Sequence, residues 1–188
     1  PIPVDTDNAQ YSTDTGPNDI DFAARWQRPL TDNLEMALSV FSGVDREPWY
    51  SFNFDLSDPM LIPNYYHKDQ FGIELEYLYE GWAVKFEGIA VESEREQYWA
   101  GVAGVEYSFY GLFDSDVDVT LITEFMRDSR DDMAPGYLEH DIGVGGRFTF
   151  NDEFDTSMLA GFLWDPDTEE KVISVEFGPG IKFVAPIK

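Results

Sequence analysis

Glu139-His140-Asp141 is the segment of this chain whose residue types come nearest to acid and base chemistry, since an imidazole between two carboxylates holds both proton donor and acceptor groups. In an extended strand, however, successive side chains point to opposite faces. Glu139 and Asp141 then share one face, while His140 points away with Leu138 and Ile142, and the expected role of His140 is that of a boundary residue. His67, with Asp69 two positions on, reads as a loop residue. Asp114-Ser115-Asp116-Val117-Asp118 imitates the start of a calcium loop, but Val119 stands where the tight turn needs glycine and Phe125 where a bidentate glutamate is needed. A polar turn passing into a strand is expected there, and no metal. Gly143, Gly145 and Gly146 lie within one strand-like run and suggest a bend or a close backbone approach. Phosphate-binding loops, nucleophile elbows and zinc spacings are missing from the sequence. Neither a cofactor nor a catalytic residue is expected, and the chain is read as a non-enzyme. An outer-membrane hydrolase built on Glu139 and Asp141 is the remote alternative.

The elements that must position these residues have a period of two, the mark of strands with unlike faces. Phe71, Ile73, Leu75, Tyr77 and Tyr79 run into Glu80-Gly81, and Trp82, Val84, Phe86, Gly88 and Ala90 run back out, which predicts a hairpin. Similar alternation covers roughly 19–28 and 33–43. It recurs from Trp99 to Phe109, Val117 to Phe125, Leu138 to Phe150, Phe154 to Trp164 and Ile173 to Phe183. About nine strands are expected, with Pro179 interrupting the last unless it sits at an edge or bulge. Residues 1–18 read as a polar arm, residues 19–188 as one β region, and 44–69 as a long loop rich in aromatic residues.

One parity of these segments excludes charge through their central parts. The other collects Glu74, Glu76, Lys85, Glu87, Glu106, Asp118, Glu124, Glu139, Asp141, Arg147 and Glu176. Two solvents produce such a pattern: a soluble sandwich buries the apolar face, whereas a transmembrane barrel turns it to lipid and encloses the polar one.

Composition narrows the field of partners. With 12 Lys and Arg against 37 Asp and Glu, a formal charge of −25, the chain is a poor ligand for phosphate backbones, so no nucleic-acid partner is expected. The absence of cysteine removes disulfides and thiolate sites. No apolar run reaches the roughly 18 residues of a helical span.

Three features favour lipid. Short breaks alternate with longer polar ones, as turns and loops do at the two rims of a barrel. Trp26, Tyr77, Tyr79, Trp82 and Tyr107 lie beside the short breaks, and Trp99, Tyr137 and Trp164 beside the long ones, which predicts an aromatic girdle at each rim. Between them the outward positions are small or aliphatic, such as Val84, Ala103, Leu121 and Val144. In this pattern the chain resembles the outer-membrane β-barrel proteins of Gram-negative bacteria, of the porin-like class. The resemblance covers residues 19–183 without a diagnostic peptide.

It implies an all-β, antiparallel up-and-down transmembrane barrel in the bacterial outer membrane, with lipid outside and an acidic lumen passing small hydrophilic solutes by passive or facilitated transport. An odd strand number, and an N-terminus on the rim of the long loops, further suggest an interior portion of a larger barrel. The loop 44–69 is the candidate plug, constriction or contact for a protein partner. A non-conducting structural or assembly component of the outer membrane, or a soluble antiparallel β binding domain, are the alternatives.

Overall fold

The computed structural model describes residues 2–53, 59–130, 140–178 and 181–187. They form an all-β chain: β1 (Gln10–Tyr11), β2 (Phe22–Pro29), β3 (Leu34–Val44), β4 (Trp49–Phe52), β5 (Leu61–Tyr65), β6 (His67–Tyr79), β7 (Trp82–Ser93), β8 (Gln97–Phe109), β9 (Asp118–Asp128), β10 (His140–Thr149), β11 (Ser157–Trp164), β12 (Lys171–Phe177) and β13 (Ile181–Ile187). Two single-turn 3₁₀ segments, at Gly16–Asn18 and Leu112–Asp114, complete the order. Ten strands make one sheet in the order β13-β12-β11-β10-β9-β8-β7-β6-β3-β2, and β1-β5-β4 make a second. Among the described residues β2 and β13 end the larger sheet without pairing to each other, so its order is open.

The chain divides into two compact units, one of residues 1–26, 38–72 and 90–98, the other of 27–37, 73–89 and 99–188. In the first, the expected loop 44–69 holds β4, β5 and the start of β6, with 54–58 outside the described residues, and the expected polar arm holds the two-residue β1. β4 runs antiparallel to β5, with Tyr50 opposite Pro63, and β1 runs parallel to β5, with Gln10 opposite Asn64. The arm also meets β5 earlier, where Asp5 N–H donates to Leu61 O and Leu61 N–H to Pro3 O. Between these contacts it turns away, and Pro63, which has no N–H to offer, falls in that interval.

The second unit keeps the predicted hairpins. Glu80 takes a left-handed conformation, φ 52°, in the turn between β6 and β7. Beside it a side chain at Gly81 would meet Ser108 O at 2.8 Å, so the close approach of β8 requires glycine there. Strands β8 to β13 follow one another antiparallel in unbroken register. The single segment expected over 173–183 is two strands, with Phe177 opposite Ile181. Pro179, outside the described residues, falls between them, where a residue unable to donate to a ladder is tolerated. This raises the expected nine strands of the main sheet to ten.

The apolar core is small. Ala37, Val91, Val119 and Met126 are the buried hydrophobic residues among those described. Val84, Val105, Leu121 and Val144, on the uncharged parity, are 42%, 41%, 51% and 46% exposed. Val119, opposite Phe109 on β8 and Phe148 on β10, is the buried residue of that parity on β9, 6% exposed.

Candidate functional site: the polar face of the second unit

Antiparallel register brings residues from different strands into rows across the sheet. On the uncharged face Ala103, Phe125, Ile142 and Trp164 form one row, and Phe109, Val119, Phe148, Met158 and Phe177 another, with Val105, Thr123, Val144, Phe162 and Ile173 in a row between them, next to the first. The two outer rows stand six positions apart along β8, about 20 Å at the usual rise. Both contain aromatic rings. Trp82 packs on Tyr107 at 4.5 Å between centroids and Tyr107 on Phe109 at 4.7 Å. Of the expected girdle, Trp26, Tyr77, Tyr79, Trp82, Trp99 and Trp164 are exposed, Tyr107 is half-buried, and Tyr137 lies outside the described residues.

The opposite parity of β9 and β10 carries the charged residues. Lys85 Nζ donates to Glu106 Oε1 at 2.8 Å and stands 4.0 Å from Glu76. Lys85 is thus bonded to Glu106 on the neighbouring strand and not to Glu87, the same-face residue two positions on along its own strand. Asp118 braces a turn: Oδ1 accepts the Gly111 N–H at 2.8 Å and Oδ2 the Asn151 side-chain N–H at 3.0 Å. Glu74 is half-buried, Glu87 and Glu176 are exposed, and Glu139 lies outside the described residues.

Asp141, opposite Met126, is 2% exposed, and its Oδ2 has no hydrogen-bond partner among the described residues. His140 does not join it. The imidazole Nδ1 lies 2.6 Å from Asp167 Oδ2, its ring meets Phe125 edge-on, and Arg127 stands 3.7 Å from the same Asp167 oxygen. The strand's alternation thus keeps His140 from its carboxylate neighbour in the described part of Glu139-His140-Asp141. Asp128 is held by Arg130, whose Nη2 donates to Oδ2 at 2.6 Å. Sequence reading overlooked the His140–Asp167 and Asp128–Arg130 pairs, and the short Asp128-Ser129-Arg130 spacing is the signal that could have found the second.

At the centre of this face is a hollow of about 380 Å³. Gly145 sits opposite Gly161 there, and a side chain at Gly145 would lie 3.0 Å from Ala160 O. Ile122, Met126, Leu159, Leu163 and Val172 give the hollow an apolar lining, and Glu106, Glu124, Arg147 and Ser174 give it polar groups. On β11 and β12 the face that collects charge elsewhere is largely aliphatic, because both parities of these strands carry aliphatic residues. Among the described residues no group of three or more His, Asp or Glu converges as a metal shell, and no helix is long and apolar enough to cross a membrane.

Comparison with protein-family models, with curated proteins and with solved structures finds no match for this chain.

Proposed function

We propose that this chain is an outer-membrane barrel protein of the porin-like class, which turns its uncharged face to lipid and passes small hydrophilic solutes along its charged one. The observation that carries the reading is the exposure of Val84, Val105, Leu121 and Val144 in a sheet with four buried hydrophobic residues among those described. A soluble domain gains its stability by burying such side chains, and an apolar surface of this extent in water is an aggregation site. Lipid removes the conflict. Measured along the strand the uncharged stretch between the aromatic rows is about 20 Å, which a tilt of about 40° reduces to about 15 Å of height, and the two ring-bearing rows themselves extend it toward the lipid-facing band of about 25 Å. An open sheet edge is not viable in hydrocarbon, because unpaired backbone groups there find no water, so the reading requires further pairing at β2 and β13.

The test is reconstitution. The full chain is expected to partition into detergent, to migrate differently on unboiled and boiled gels, and to give stepwise conductance in a planar bilayer. A chain that stays monomeric without detergent would end the reading. Stable insertion without conductance would leave a structural component of the same membrane.

A further inference from the structure

The hollow on the polar face has a layout that water-filled lumen walls do not need. Its middle is opened by Gly145 and Gly161, and its lining from Ile122, Met126, Leu159, Leu163 and Val172 is aliphatic. Glu124 pairs in register with Gly143, and Arg147 with Leu159, so the two charges enter from opposite ends of the hollow. Gly143 and Arg147 are four residues apart on β10, about 13 Å at the usual rise, with Gly145 halfway. Neither Glu124 nor Arg147 has an ion-pair partner among the described residues, although Lys85 and Glu106 nearby have found each other.

An apolar hollow with a few convergent polar groups is the usual form of a small-molecule site. Two opposite charges held apart across it call for a solute that carries the complementary charges at its two ends. We propose that this hollow binds short apolar peptides of dipeptide size, with Arg147 taking the terminal carboxylate, Glu124 the terminal ammonium, and the aliphatic lining the side chains. The assignment rests on the transport reading only in making the solute a passenger; the site itself needs only the geometry of the second unit.

The test uses the full chain in detergent micelles and titration calorimetry with leucyl-leucine, N-acetyl-leucyl-leucine and leucyl-leucinamide. A charge-assisted hydrogen bond is worth about 1.5–3 kcal/mol, so removing either terminal charge is expected to weaken binding by about tenfold or more. Arg147→Gln is expected to bind leucyl-leucine and leucyl-leucinamide alike, and Glu124→Gln to bind leucyl-leucine and its N-acetyl form alike. Gly143→Val, whose Cβ finds ordinary contact distances of 3.6 Å to Leu163 and Met126, is expected to occupy the Glu124 end of the hollow and weaken binding by about tenfold or more with the β-sheet circular dichroism intact. Equal affinities for the three peptides, or no binding by the native chain, overturn the inference. If the chain inserts and conducts but binds no peptide, the site fails and the barrel stands. If it binds as expected yet remains monomeric without detergent, the barrel fails and the site stands.

Discussion

Asp21 Oδ1 accepts the backbone N–H of Val44 at 3.0 Å through the space that a side chain at Gly43 would fill. A Cβ at Gly43 would fall 2.3 Å from that oxygen and 2.9 Å from Asp21 Cβ, so alanine there forces the carboxylate off its donor. Gly43→Ala is expected to cost about 1–2 kcal/mol, the worth of a hydrogen bond whose donor is left poorly satisfied. Asp21→Ala should cost a similar amount, and adding Gly43→Ala to it almost nothing. Urea denaturation of the four variants measures this coupling; additive losses would show that Asp21 and Gly43 act separately.

Leu121, 51% exposed between Val105-level and Val119-level rows, decides which solvent the uncharged face meets. In water an arginine at so open a position is nearly neutral to stability. In lipid it costs about 2–4 kcal/mol near the midplane. Leu121→Arg is therefore expected to lower the unfolding free energy in phospholipid vesicles by that amount. A change within about 0.5 kcal/mol would place this face in water.

The loop after β11 carries a carboxylate that reports on pH. Burial alone would push the Asp165 carboxyl up, but three donors outweigh it and hold it below the usual carboxylate range. Asp167 N–H donates to Oδ1 at 2.7 Å, Thr168 N–H to Oδ1 at 3.1 Å, and the Thr168 hydroxyl to Oδ2 at 2.5 Å. A depressed carboxyl contributes stability above its unfolded value, near pH 4, and loses that contribution as pH falls through its folded value. The amide resonances of Asp167 and Thr168 are expected to hold from pH 7 to about 5 and to move toward unstructured positions below pH 4. Asp165→Ala should show the displaced positions throughout; a native loop persisting to pH 2 would mean that backbone turns alone hold it.

The alternation of Phe71 to Tyr79 and Trp82 to Ala90 was enough to predict β6 and β7, because a strand with unlike faces writes its geometry into neighbouring residues. β1 left no such trace. Its partner, β5, is more than fifty residues away, as Gln10 opposite Asn64 shows, and a two-residue strand has no period. β4 and β5 are four and five residues long, too short for a period of two to stand out, and Pro63 inside β5 runs against the usual placement of proline in strands. The charged face was legible in its acids, Glu106, Glu124 and Asp141, but its hollow was not. Leu159, Leu163 and Val172 lie on strands apolar on both parities, where alternation cannot tell an inner position from an outer one. Lys85 was legible as a charge but its partner was not, because the choice between Glu87 and Glu106 is made by register.

That cluster sets the selectivity expected of a conducting pore. Lys85 is the cation among Glu76, Glu106 and itself, bonded to Glu106 and close to Glu76, and it offsets the potential the two acids create. Lys85→Met exposes both carboxylates to any passing ion. One unit charge about 4 Å from an ion in water-like surroundings is worth about 1 kcal/mol, so preference for potassium over chloride is expected to rise by about fivefold. Stability should change by under about 1 kcal/mol, since the Lys85 side chain is half-exposed and such pairs contribute little. Reversal potentials under a potassium chloride gradient measure the first and urea denaturation the second. An unchanged reversal potential in a pore that still conducts would remove the cluster from the ion path, and with it the view that this face of the second unit lines the passage.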